Sequence, residues 1–302
     1  MKKQKLLIVG CGDIGTRLAR QQKQVQVRGL ARTAESANRL RSHGITPVAG
    51  DLDRRTSLDR LSNLSPWVLH LGPPPGDSAG DPRTRRLIAA LAKGGSLPRR
   101  MVYISTSGVY GNCNGERVFE TRTLAAANAR AKRRVDAERQ LQRFAARHGI
   151  RLSILRAPGI YANDRLPVER IKKQTPAVKQ EEDSYTNHIH ADDLAKIVWL
   201  ALFRGRPNRI YHAVDGGVKK MGDYFDMVAD HFGLPRTPRI SRAEAQQVLS
   251  PALLSFLNES RILDNTRLTH ELKVRLTYPD VAAALESMGR VPGETPPQSH
   301  RR

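Results

Sequence analysis

Gly10, Gly12 and Gly15 stand at G-x-G-x-x-G spacing, directly after the apolar run Leu6–Val9 and directly before a helical pattern. Glycines so placed make a cradle for a diphosphate. The first permits a tight turn, the second lets the backbone approach the pyrophosphate, and the third lets helix and strand pack closely. The anion would rest on the amide groups of Asp13, Ile14 and Gly15, at the positive end of the helix. A dinucleotide site specific for NAD carries an acid at the end of the second strand, where it binds the ribose 2′-hydroxyl. Here that strand ends Gly29-Leu30-Ala31-Arg32-Thr33, and no acid lies between Val25 and Ala34. Arg32 suits a 2′-phosphate, so the expected cofactor is NADP, with NAD left open. Arg28 is a second candidate, which strand alternation points elsewhere.

These residues need a parallel α/β scaffold to position them, and the chain reads as one. Strand patterns run over Lys5–Val9, Val25–Leu30, Thr46–Ala49, Trp67–Leu71, Met101–Ser105 and Leu152–Leu155. Helical patterns alternate with them: Ile14–Lys23, Thr33–Ser42 with Thr33 as a cap, Asp81–Lys93 between Asp-Pro and Gly94-Gly95, and Thr123–His148 ending at Gly149. Segment 157–187 is loop-rich. A helix at Asp192–Phe203 and a strand at Arg209–Ala213 rejoin the sheet. Short helices follow, at Met221–Phe232, Arg242–Leu249 and Pro251–Leu257, and the polar stretch 291–302 reads as a disordered tail. The expected fold is a doubly wound parallel sheet of Rossmann type with a smaller, mostly helical C-terminal substrate lobe. The first unit spans 1–156 plus 188–215, and the lobe 157–187 plus 216–290.

Ordered motifs along most of the chain are similar to those of the short-chain dehydrogenase/reductases, in the extended type that includes the NAD-dependent epimerase/dehydratases. Besides the glycine loop these are Gly50-Asp51-Leu52, His70-Leu71-Gly72, Ser105-Thr106-Ser107-Gly108-Val109-Tyr110-Gly111, Leu155-Arg156-Ala157-Pro158-Gly159-Ile160-Tyr161 and His190-Ala191-Asp192-Asp193-Leu194-Ala195. The resemblance implies that Asp51 and Leu52 face the adenine. It implies that Leu71 and Gly72 line the nicotinamide ribose and that Pro158 lies over the nicotinamide. It gives Thr106 the role of the hydroxyl that binds the reacting substrate oxygen; Ser107, Tyr110 and Tyr161 are expected substrate contacts, with Tyr110, Tyr161 or an ordered water expected to move the proton.

The family's main acid/base is a Tyr-x-x-x-Lys pair on one helical face, whose lysine lowers the tyrosine pKa. No tyrosine here is followed by lysine at that spacing: the residues four beyond Tyr103, Tyr110, Tyr161, Tyr185, Tyr211, Tyr224 and Tyr278 are Ser107, Asn114, Arg165, Ile189, Asp215, Val228 and Ala282. Anchored on Glu138, the register puts Arg130 at the tyrosine position and Arg134 at the lysine position. Arginine stays protonated and cannot replace tyrosine as an acid or base, but it grips phosphate or carboxylate bidentately. An atypical subset of the family lacks the tyrosine, and Gly72-Pro73-Pro74-Pro75-Gly76 and Asn258-Glu259-Ser260-Arg261-Ile262 resemble it.

Of the 51 basic residues 13 are lysines, and the net charge is +22. That charge admits polyanion partners, but no basic block or nucleic-acid reader motif accompanies it, so nucleic acid is not the expected partner. Cys11 and Cys113 are too few for a disulfide framework and fit a reducing cytoplasm. Cys11 sits by a helix N-terminus, a position that lowers a thiol pKa. His188 and His190 with Asp192 and Asp193 lack a third histidine at zinc spacing, so no metal is expected, and the family resemblance explains the run as a strand end followed by an Asp that caps a helix. No apolar run is long enough to span a membrane. The expected function is NADP-dependent redox chemistry on a small anionic or nucleotide-linked substrate. A non-catalytic NADP(H) sensor or scaffold is the alternative, and a homodimer stays open.

Overall fold

The computed structural model describes residues 3–289. The stretch 291–302, read above as a tail, lies outside them. Seven strands form one parallel sheet: β1 (Lys5–Val9), β2 (Gln26–Ala31), β3 (Thr46–Ala49), β4 (Trp67–His70), β5 (Arg100–Thr106), β6 (Arg151–Ala157) and β7 (Arg209–His212). Their spatial order is β7-β6-β5-β4-β1-β2-β3. The order reverses between β1 and β4, so the crevice beyond their C-terminal ends is where this architecture binds ligands.

Strand alternation divides the core between two faces. On one, Leu6 and Ile8 pack with Leu18 of α1 (Asp13–Gln21), Leu40 of α2 (Ala34–Ser42) and Leu194 and Val198 of α5 (Ala191–Arg204). On the other, Leu7 and Val9 pack with Leu87 of α3 (Pro82–Ala92) and with Leu141 and Phe144 of α4 (Ala129–His148). Capping fixes where these helices begin and end. Thr33 and Ser36 form a capping box, Asp81 caps α3 ahead of Pro82, and Gly149 ends α4 at φ 65°.

Two helix starts differ from the sequence reading. α4 begins at Ala129 rather than Thr123, although Leu124–Ala127 has helical composition. The Ala125 amide donates to the Val109 carbonyl, and the Ala125 carbonyl abuts Gly111, which ties this segment to the turn after β5. Asn128 then caps the helix through the Ala131 amide. α5 is capped by His190, whose Nδ1 accepts the Asp192 amide, and not by an Asp of the run.

Beyond the sheet, helix Met221–His231 packs on Val168–Lys172 and Val281–Ser287 through Phe225, Val228, Ile171 and Ala284. Helices Arg242–Val248 and Pro251–Leu257 cover Val178 in a further cluster. Leu268, Leu272 and Val274 return to the sheet's own core, inside a span that the sequence reading placed in the lobe.

A buried ion pair ties α4 to β6. Arg156 meets Glu138 bidentately at 3.1 and 2.7 Å, with both side chains almost wholly buried. Removing one partner of such a pair leaves an uncompensated charge in low dielectric. Glu138→Gln is therefore expected to destabilise the fold by about 3–5 kcal/mol in urea unfolding, and a loss below about 1 kcal/mol would mean the pair does not anchor α4.

Candidate active site

The glycine loop lies at the switch point. Gly10 has φ +79°, and a Cβ there would come within 2.2 Å of the Gly72 amide nitrogen. The turns after β1 and β4 thus touch backbone to backbone. A Cβ on Gly15 would meet Cys11 Sγ at 2.9 Å and Ile8 Cγ2 at 3.2 Å, so this glycine lets α1 lie close on β1. Gly12 differs: a Cβ there would meet nothing within 4 Å, and Gly12 offers α1 no side-chain cap. The helix therefore starts without a side-chain cap and beside open space at Gly12, the fit a diphosphate needs. Asp13 turns its carboxylate aside to Arg17 and Arg165, at 2.9 and 3.2 Å, and Ile14 packs on the core.

A groove runs from this loop past the end of β2. Its walls are Gly10, Cys11, Gly12, Leu30, Arg32, Thr33, Ser36, Arg39, Leu40 and Pro73. It contains two arginines and no acid. Asp53, the acid within electrostatic reach of Arg32, is held by Arg83 at 2.9 and 2.6 Å. Arg28 donates to the Leu64 carbonyl and does not line the groove. Asp51 follows β3, and its Oδ1 accepts the Asp53 amide. Leu52 and Leu71 are half-buried against the two faces of the core. Burial pushes the Cys11 thiol up to about 12, against the expectation from its place near a helix N-terminus; desolvation outweighs Arg39.

Beyond β5 lies a cavity of about 320 Å³ that brings together Thr106, Ser107, Arg130, Arg134 and Pro158. The Gly108 amide donates to Thr106 Oγ1 at 3.2 Å, which orients this hydroxyl and leaves its proton free to donate. Arg134 donates to the Ile104 carbonyl at 2.7 Å and to the Tyr103 hydroxyl at 3.1 Å. Arg130 stacks over the Phe256 ring, 4.8 Å from its centroid. The two arginines lie one turn apart on α4, a like-charge spacing that costs a helix roughly 0.2–0.5 kcal/mol.

The other walls come from remote segments: Tyr185, Asn187, His188, Met221, Phe256, Glu259 and Arg261. Arg261 donates to Glu259 at 3.0 Å and to the Gly111 carbonyl at 2.7 Å, and Asn128 holds the other Glu259 oxygen at 3.1 Å. Burial pulls His188 down to about 4, so it is neutral at physiological pH. Sequence reasoning assigned Tyr185, His188, Glu259 and Arg261 no role in binding substrate. Only the resemblance of Asn258–Ile262 to the atypical subset pointed toward this corner.

Tyr110 and Tyr161 do not line this cavity. Tyr110 is buried; its hydroxyl accepts a hydrogen bond from Arg156 at 2.6 Å and meets His212 Nε2 at 2.6 Å. His212 Nδ1 lies 2.8 Å from the Asp264 carbonyl, so the ring donates there and accepts from the phenol. Desolvation raises Tyr110 to about 12. The Tyr161 hydroxyl is buried without a hydrogen-bond partner, and burial and nearby Asp215 push its pKa up as well. Burial removes both phenols from acid/base work at neutral pH.

The family model of the NAD dependent epimerase/dehydratase family matches residues 6–213, more than half of the chain. The chain belongs to that family. No curated protein matches the sequence. A conserved protein of unknown function from Silicibacter pomeroyi DSS shares 27% identity over 95% of this chain and 98% of its own, with a TM-score of 0.78. UDP-glucose 4-epimerase from Thermotoga maritima, solved with UDP-glucose, shares 17% over 94% and 98%, with a TM-score of 0.73. UDP-glucuronic acid 4-epimerase from Bacillus cereus, solved with NAD, shares 16% over 94% and 96%, also at 0.73. At those two identities the likeness establishes the fold alone. Among the described residues no helix is long and apolar enough to cross a membrane.

Two outcomes test this geometry. Gly12→Ala should keep the wild-type melting temperature yet weaken dinucleotide binding about tenfold or more, whereas Gly10→Ala should fail to fold stably. Equal melting of the two variants would contradict the backbone contact. Burial raises Asp215 to about 8. Its unfolded-state value is near 3.9, so its contribution to stability falls by about 1.4 kcal/mol per pH unit between those limits. Asp215→Asn should therefore gain stability relative to wild type as pH rises from 5 to 8, and a difference independent of pH would refute it.

Proposed function

We propose that the protein is an NADP-dependent enzyme of epimerase/dehydratase or reductase type acting on a small anionic substrate. The carrying observation is that Thr106 points an oriented hydroxyl into a guanidinium-rich cavity, on the same C-terminal edge of the sheet as the glycine-loop groove. Gly10, Gly12, Asp13, Ile14 and Gly15 would hold the diphosphate and Arg32, with Arg39, the 2′-phosphate. Asp51 and Leu52 would border the adenine, and Leu71, Gly72 and Pro158 the nicotinamide end. When bound, a nicotinamide dinucleotide supplies hydride transfer.

The chain's own residues do the rest. Thr106 donates to the substrate oxygen and polarises it. Arg130 and Arg134 orient an anionic group. Proton exchange runs through groups that line the cavity, with His188, held neutral by burial, as its base, and not through Tyr110 or Tyr161. The missing Tyr-x-x-x-Lys pair favours a second reading, a non-catalytic NADP(H) sensor or scaffold. Turnover across small hydroxy and oxo compounds separates the two.

Calorimetric titration with NADPH and with NADH tests the cofactor. NADPH should bind more tightly than NADH, by about tenfold or more for a charge-assisted contact. Arg32→Asp should erase that preference. Equal affinity for both dinucleotides, unaltered in the variant, would remove Arg32 from the site, and no binding of either would overturn the proposal.

A further inference from the structure

The cavity holds three guanidinium groups and a single carboxylate. Arg261 is neutralised by Glu259, whose second oxygen is bonded to Asn128. Arg134 uses Nη1 on the Ile104 carbonyl and the Tyr103 hydroxyl and keeps its other donors. Arg130 contacts the Phe256 ring and, among the described residues, has no acceptor. Two positive charges one helical turn apart thus face the cavity without a protein counter-ion. The strand that binds Arg134 through Ile104 ends two residues later in Thr106. The anchored guanidinium and the oxygen-binding hydroxyl are neighbours along one strand end.

The volume is small. About 320 Å³ lies at the bottom of the range for small-molecule sites. The aromatic rings on its wall are Tyr185, Phe256 and the His188 imidazole, and the Phe256 face is covered by Arg130. The Tyr185 ring carries the Lys220 ammonium 5.8 Å from its centroid. A cationic group thus lies against one face of each large ring, while the Phe256 side chain stays about half exposed.

We infer that the substrate is a compact polyanion, not a nucleoside-diphosphate sugar: a small hydroxy or oxo acid, or a phosphorylated hydroxy compound. Its carboxylate or phosphate lies between Arg130 and Arg134, and its hydroxyl or carbonyl oxygen meets Thr106. The inference rests on the reading of this cavity as the substrate site, and it names the class of molecule that fits there. Guanidinium forks match either anion, and the substrate's source is decided by which probe binds.

The test is calorimetry on the full-length protein with malonate, inorganic phosphate and UDP as separate probes, with and without saturating NADPH. Malonate or phosphate should bind one to one. Arg130→Gln and Arg134→Gln should each weaken that binding about tenfold or more, while NADPH affinity and melting temperature stay at wild-type values. Arg130 is exposed, so its variant keeps the test valid if Arg134→Gln fails to fold. Malonate bound better than phosphate assigns an acid, and the reverse assigns a phosphoester. UDP binding tenfold tighter than both in the presence of NADPH would overturn the inference, as would anion binding indifferent to both variants. If NADPH does not bind but arginine-dependent anion binding persists, the cofactor proposal fails and the anion site stands.

Discussion

The backbone contact between Gly10 and Gly72 is the constraint on which the rest of the site depends. β1 and β4 are adjacent parallel strands whose connections leave in opposite directions. At that switch point a crevice opens, and its floor is as narrow as the missing side chain of Gly10 allows against the Gly72 backbone. This close approach sets the loop beneath α1, leaves Gly12 facing open space, and brings the Pro73 segment alongside the groove. Bulk at Gly10 would part the two strand ends and displace the start of α1, whereas a Cβ on Gly72 would meet its neighbours only at 3.6 Å and beyond.

A second constraint acts on the substrate side. Arg156, at the end of β6, is bound to Glu138 on α4 and to Tyr110 beyond β5, and Tyr110 in turn meets His212 at the end of β7. One buried network thereby joins three adjacent strand ends and the helix that carries Arg130 and Arg134. Buried charge of this kind is costly unless every partner is present, so the network favours one arrangement of these elements. It also explains why Tyr110 is a structural group here: a phenol that accepts from a guanidinium and donates to a neutral imidazole has no proton left for substrate.

The cavity beyond β5 combines two parts of the chain with different logic. Thr106 and Ser107 are placed by the strand end and the tight turn that follows it. The opposing wall, from Tyr185 through Arg261, is brought in by segments remote from β5, and it is held by the Asn187 side-chain amide, which donates to the Arg261 carbonyl and accepts from the Leu263 amide. Positive charge accumulates where these parts meet because α4 contributes two arginines and the only local carboxylate is already bonded.

The sequence by itself determined the parallel α/β architecture and the place of the glycine loop. Each depends on local pattern: apolar periodicity, glycines at fixed spacing and caps such as Thr33 and Asp81. It also showed that no Tyr-x-x-x-Lys pair exists, since that is a matter of spacing alone. The tertiary structure decided what local pattern does not encode. The start of α4 was set by contacts of Ala125 with the turn after β5, which outweigh helical composition. The fates of Tyr110, Tyr161 and Cys11 were set by burial, because desolvation depends on neighbours far away in sequence. The substrate wall of Tyr185, His188, Glu259 and Arg261 could emerge only when remote segments folded onto one strand end, since side chains that recognise a ligand need to be close in space and not along the chain.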